Sequence, residues 1–513
     1  MSRRTPDALF GTRMSTHRIT RSAAAVAVGV AVIAAATAAP SAADADPRVV
    51  QVSGVNPQPE CSVGAGQDPA FPATRDWDQE PSLAVSPRNP SHLQAAWMQG
   101  YSDGITAARS EDGGRSWTVS AVPILDCTKT HSTIDPWLAI GPNTTSEGET
   151  TYLSVVTTTA ASGTTATVGA IPDTDLVVLR SYDGGTTWSS TPRKLDHAGD
   201  VEAIDGSLVV TDPVRPGRAW ARWSKVNLLT LATDEFVATT ADGFEHWSTA
   251  LLPASPVGTV ALGTQLAVGP DGCVAAVSAV IPQTQFNKMT MQRPSVTGPT
   301  DLYVTTSTNG TDWTPQRKVA NADSARFANI SLAADGSGRV KVAWTRLSGP
   351  GVQPMLMSST DTGRTWTTPA PAGPPVLSAP FLANSDILAA PTVVLPVGDG
   401  PTVALYDHRN DDATSHSTGE PPHVTDIWLR KQINGVWTEQ HVLGPFDGTT
   451  GPAGNGSVCE SDCVAAASIL GDYWGGVALP HGQVGVTVVT TNPTPDSPHN
   501  TDVFFARSIR ARG

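Results

Sequence analysis

The sequence predicts an all-β chain: a single β-propeller of seven four-stranded blades, the last closed by a strand from near the N-terminus. Three observations predict it. A turn motif ending in tryptophan recurs along the chain, an apolar hairpin recurs between its copies, and the strand leading into each turn recurs with them. A supersecondary unit repeated at tens of residues marks a repeat architecture, because one unit cannot bury its apolar face alone.

The turn has the form Ser/Thr-x-Asp-x-Gly-x-x-Trp. It is complete in SEDGGRSW (110–117), SYDGGTTW (181–188) and STDTGRTW (359–366). Degraded copies read TADGFEHW (240–247), TSTNGTDW (306–313) and, faintest, RKQINGVW (430–437). Successive motif tryptophans lie 71, 59, 66, 53 and 71 residues apart, about 64 residues per unit. The hydroxyl and carboxylate can accept backbone N–H groups within the turn. Gly supplies a positive φ, and Trp folds back over the turn.

Seven hairpins lie between these turns: 80–97, 135–156, 205–223, 264–280, 329–344, 391–407 and 474–490. Each reads as two strands around a turn rich in Pro, Asp or Gly. The strand entering each turn reads ITAARS, LVVLRS, FVATTA, LYVTTS, MLMSST and IWLRKQ; a seventh, VFFARS (503–508), stops where its turn would begin. The orphan strand RVVQVSGV (48–55) is therefore expected to complete blade seven, which removes an exposed sheet edge. Six blades with an irregular tail is the alternative. Two independent repeat counts favour seven.

These turns are similar to Asp-box (BNR) repeats, and the chain resembles the Asp-box propellers of the sialidase superfamily. That resemblance implies action on glycans, with an arginine triad, a Tyr nucleophile paired with a Glu, and an Asp acid/base. The Arg-Ile-Pro signature of that family is absent. The corresponding region reads TRDWDQEPSLAV, where Arg75 alone can stand in. Tyr473, in GDYWGG, resembles the nucleophile only by type.

Composition narrows the classes. Charged residues make up 16%, and the net charge of −14 argues against nucleic acid as a partner. Of the 30 aromatic residues, 14 are Trp, a lopsided share. No P-loop, GxGxxG, HExxH or CxxC occurs. Residues 1–45 read as a secretory signal peptide: Arg13, His17, Arg18 and Arg21 precede an apolar stretch from Ala23 to Ala39, then Ala43-Asp44-Ala45. Residues 46–513 form the propeller. A secreted, extracellular protein is expected, a monomer with no membrane attachment after cleavage. Disulfides are then allowed. Cys61 is expected to pair with Cys127 and Cys459 with Cys463, leaving Cys273 as a buried thiol.

Functional residues are expected where loops enter the inner strands, at one mouth of the channel. Three positions before the apolar inner-strand residues Leu83, Leu138 and Leu208 stand Glu80, Asp135 and Asp205. With Asp472 and Tyr473 of blade seven they form an arc around one mouth. Such carboxylates have three readings: caps for backbone N–H groups, the acid and base of glycoside hydrolysis, or a Ca²⁺ site. No motif demands a cofactor. Arg75, Trp137, Arg326, Tyr406 and Arg409 are the candidate substrate contacts, with Arg222 and His408 near the same face. Arg can grip a substrate carboxylate, and Trp or Tyr can stack on a sugar ring. The expected partner is an extracellular glycan or glycoprotein, met by an exo-glycosidase or by a non-catalytic binding propeller.

Overall fold

A computed structural model describes residues 48–57, 78–99, 104–124, 131–144, 148–159, 173–199, 201–286, 300–322, 330–348, 351–377, 392–396, 400–411, 424–447, 470–471, 473–491 and 501–508. Seven antiparallel sheets contain these residues. The inner strands are Asp78–Val85, His131–Pro142, Glu202–Thr211, Thr259–Val268, Ser331–Ala334, Thr392–Val394 and Gly476–Ala478. They belong to blades one to seven in that order, and each hairpins into the second strand of its own blade.

Burial follows position in the blade. The second strands Leu93–Gln99 and Val484–Thr491 are buried at every residue, whereas the outer strand Ser248–Leu251 is largely exposed. A second strand is flanked by two strands in its sheet and by a blade on each face, so both of its side-chain rows are inside. This explains the tryptophan surplus beyond the turns. Trp97, Trp220, Trp223 and Trp344 all lie fully buried on second strands. Three find partners for the indole N–H: Asp78 Oδ1 (2.9 Å), Asp196 Oδ2 (2.7 Å) and the Ala322 carbonyl (2.9 Å) accept from Trp97, Trp223 and Trp344.

The ring closes as the repeat count predicts. Val49–Gln51 pairs antiparallel with Thr501–Arg507, Val50 opposite Phe505, and becomes the outer strand of blade seven. Asp502 Oδ1 fastens it by accepting from Gln51 Nε2 (2.9 Å) and Ser53 Oγ (3.1 Å).

The turns between third and fourth strands clamp neighbouring blades. In the first, Gly114 N donates to Ser110 Oγ (2.8 Å), and Asp112 Oδ1 accepts from Arg115 N (2.8 Å) and Ser116 N (2.9 Å). Partial burial opposes ionisation of Asp112, but hydrogen bonds from Ser116 outweigh it and hold the carboxyl down at about 2. Ser181–Asp183, Thr240–Asp242 and Ser359–Asp361 repeat the pattern. A Cβ on Gly114 would lie 2.2 Å from Phe505 Cε1, so the first turn presses directly on blade seven. Phe244 fills the equivalent position of the third copy at φ 65°, its ring edge-on to Tyr152 at 5.8 Å.

Two turns differ from their sequence reading. The fourth is one residue shorter, with Ser307 and Asn309 in the accepting roles. The sixth is an Asn-Gly hairpin joining Ile433 to Val436, with Asn434 at φ 50° and Gly435 at 81°. Blade five gains an unforeseen short strand, Val376–Leu377. Cys273 is a buried free thiol. Cys61, Cys127, Cys459 and Cys463, like residues 1–45, lie outside the described residues.

Candidate active site

In blades one to four the inner strand breaks its ladder at one level. The breaks fall between Gln79 and Ser82, Ile134 and Trp137, Asp205 and Leu208, and Leu262 and Gln265. The first extra residue of each bulge is left-handed: Glu80 (φ 52°), Asp135 (56°), Gly206 (68°) and Gly263 (58°). Glycine adopts this conformation freely, but a residue with a Cβ is strained there by about 1–3 kcal/mol. Two blades thus hold a carboxylate at a strained bulge where two others hold glycine.

The ladder corrects the expected alignment in blade three. Matching apolar residues puts Asp205 level with Glu80 and Asp135. Gly206 occupies that level instead, and Asp205 stands one residue earlier, level with Gln79 and Ile134. A bulge shifts the side-chain alternation, which an apolar pattern read in isolation does not report.

The three carboxyls nevertheless converge. Asp135 Oδ2 accepts from Gly206 N (2.9 Å), and the Asp135 carbonyl accepts from Ser207 Oγ. Glu80 hydrogen-bonds to Asp135, and the Asp205 charge acts on it. Arg222, on the second strand of blade three, completes the group. Its Nε donates to Glu235 Oε2 (2.7 Å), its Nη1 to the Gly206 carbonyl (2.7 Å) and its Nη2 to Ser224 Oγ (2.7 Å). Arg222 and Glu235 are both buried. The Gly206 residue is therefore held on both sides, its N–H by Asp135 and its carbonyl by Arg222. Sequence reasoning noted Arg222 only by position and missed Glu235, whose pairing depends on strand register.

Electrostatics separates the two aspartates. Burial, then the neighbouring Asp205 charge, pushes Asp135 up to about 7, against hydrogen bonds from Gly206 and Glu80 and the more distant Arg222. Burial also raises Asp205, opposed first by Arg222. Water reaches Asp205 from the mouth, yet it lies among crowding protein atoms. Both carboxyls are thus raised as a coupled pair, and the Arg222 guanidinium favours the charged form of Asp205.

Tyr473 and Trp137 flank the carboxyls. The Tyr473 hydroxyl donates to the Pro136 carbonyl (3.0 Å), and its ring meets Trp137 at 5.1 Å and 50°. Gly471 presses on Glu80, since a Cβ there would lie 2.4 Å from Glu80 Cγ. Trp137 also lines the central channel, a cavity of about 810 Å³ walled by residues such as Leu208, Leu266 and Val394.

Other expected contacts do not join this group. Tyr406 is a correction: it is a buried core residue, packed on Trp474 at 5.0 Å, and its hydroxyl donates to the Val489 carbonyl (2.9 Å) and accepts from Val489 N (3.1 Å). Its place on a second strand, with both rows inside, is the reason. Arg409 is held by Asp407 and Glu439 and lies over Trp428 at 4.3 Å. His408 is buried, and burial lowers its pKa to about 4. Arg75, Arg326 and Asp472 lie outside the described residues. Among the described residues, no group of three or more His, Cys, Asp or Glu side chains is arranged to hold a metal ion.

No known family matches this chain, and no curated protein does. Among solved structures it is similar to a protein of unknown function from Dyadobacter fermentans, at 12% identity over 90% of this chain and 100% of that one, TM-score 0.44. It is similar to the Hadza microbial sialidase Hz136 at 13% identity over 81% and 73%, TM-score 0.41. It is also similar to the GH93 α-L-arabinofuranosidase of Fusarium graminearum at 10% identity over 90% and 97%, TM-score 0.44. No residue role is carried over from these proteins.

Proposed function

We propose that this chain is an exported propeller that hydrolyses a glycosidic bond at the Glu80–Asp135–Asp205 mouth. The observation that carries the reading is the unlike environment of two neighbouring carboxyls. Burial and the neighbouring Asp205 charge push Asp135 up to about 7, and Asp205, also raised by burial, has the Arg222 guanidinium to favour its charged form. Environments that push paired carboxyls apart assign the acid and the base. Asp135 would protonate the leaving oxygen, and Asp205 would serve as base or nucleophile. Glu80 and the Gly206 N–H orient Asp135, and Trp137 with Tyr473 offers an aromatic flank for a sugar ring. The similarity to Asp-box propellers of the sialidase superfamily, with the hydrogen-bonded turns, supports a glycan as substrate. The charged, apolar and small-residue order of residues 1–45 supports export.

The test is a screen of aryl glycosides, uronides and oligosaccharides with the wild type, Asp135→Asn and Asp205→Asn. The expected result is turnover that falls as pH rises above about 7, with a loss of about 100-fold or more in either variant at unchanged circular dichroism. Turnover that survives both substitutions would remove the assignment. Glycan binding without turnover would identify the binding propeller instead.

A further inference from the structure

The hairpin turns that end the inner strands lie on the face opposite the carboxylate mouth. We propose that this face carries a second site, which binds the anionic group of a saccharide between blades three and four. A cavity of about 620 Å³ lies there, lined by Arg215, Arg218, His246, Trp247, Thr308 and Asn309 among others. The chain carries a net charge of −14, so a cavity with two guanidinium groups stands against the overall field.

The two arginines converge. A Cβ on Gly272 would lie 2.7 Å from Arg215 Nη1 and 2.8 Å from Arg218 Nη1, so two like charges meet over one glycine. Arg215 has a carboxylate partner, Asp212 Oδ2 at 2.8 Å. Arg218 has none among the described residues; its guanidinium lies over the Trp220 ring at 5.0 Å. Asp242 also lines the cavity, but its oxygens are occupied by the Thr240 hydroxyl and by the backbone and ring of His246. A fixed guanidinium without a carboxylate, beside a second cation, selects a sulfate, phosphate or carboxylate through paired N–H donors. Its place over the Trp220 ring at 5.0 Å holds the guanidinium near the cavity beforehand, which lowers the ordering cost of binding. Trp247 adds an aromatic surface, the usual means of holding a sugar ring.

The experiment is calorimetric titration of the full chain with a sulfated oligosaccharide, its desulfated counterpart and inorganic sulfate. The sulfated sugar should bind, more weakly as salt increases, and should lose about tenfold or more in affinity in Arg218→Met, which keeps an apolar stem on Trp220. Asp135→Asn should leave this binding unchanged, so the site stands or falls apart from the mouth. Absence of binding, or equal affinity in Arg218→Met, overturns the proposal. Inorganic sulfate binding as tightly as the sulfated sugar overturns its saccharide part. Should Arg218→Met lose its native circular dichroism, Arg218→Lys decides: a charge without the paired donors must bind more weakly.

Discussion

Replacing Asp135 by Asn should make the protein more stable at neutral and alkaline pH than the wild type, and the advantage should vanish in acid. Asp135 rises from 3.8 to about 7 on folding, so between those values the native state holds a proton that the unfolded chain has released. Wild-type stability contributed by this group is complete below the unfolded pKa and is lost as pH rises through the folded one. At 1.36 kcal/mol per unit the full shift corresponds to about 4 kcal/mol, an upper bound because Asp135 is partly exposed and water at the mouth screens it. Asparagine fills the same space, can keep its oxygen on Gly206 N and never ionises. His408 works the opposite way. Buried with its pKa lowered to about 4, it is neutral in the folded state where the unfolded chain is protonated, so its stability contribution falls as pH drops. The two groups partly cancel in the wild type, and only the difference between wild type and variant isolates Asp135. Urea denaturation at half-unit steps from pH 4 to 8, followed by circular dichroism, measures that difference. Curves that run parallel across the range would refute a raised pKa at Asp135, and its proposed acid role would fall with it.

Four further outcomes follow from particular contacts. Glu80→Gly and Asp135→Gly should each stabilise the fold by about 1 kcal/mol, because φ values of 52° and 56° suit glycine, while turnover is lost; thermal melts and the glycoside assay read both. Gly114→Ala should cost about 3 kcal/mol, since its methyl would meet Phe505 at 2.2 Å and its φ is 85°; a urea midpoint shows it. Tyr406→Phe should cost about 1–3 kcal/mol by leaving both backbone groups of Val489 without the hydroxyl, with no change in glycan turnover. Deleting residues 48–53 should lower the melting temperature and produce association by light scattering, because the strand Thr501–Arg507 then becomes an open edge.

The blade count, its order and its closure were legible from local signals. Turn residues that tolerate positive φ and tryptophans that return over them recur six times, apolar hairpins at a regular period recur seven times, and a missing outer strand leaves one place for residues 48–55. The arc of Glu80 and Asp135 was equally legible, because both stand at the same offset from an apolar residue. What the linear pattern could not carry was register. A bulge places Gly206 rather than Asp205 at the strained level, a turn in blade four is one residue short, and Tyr406 points into the core instead of the mouth. The Arg222–Glu235 pair joins adjacent strands, and the Arg215–Arg218 pocket is completed by blade four, so neither has a sequence signature. Local chemistry chooses turns and strands. The pleat, bulges and blade-to-blade packing decide which side chains meet, since one residue of slip turns a side chain to the other face.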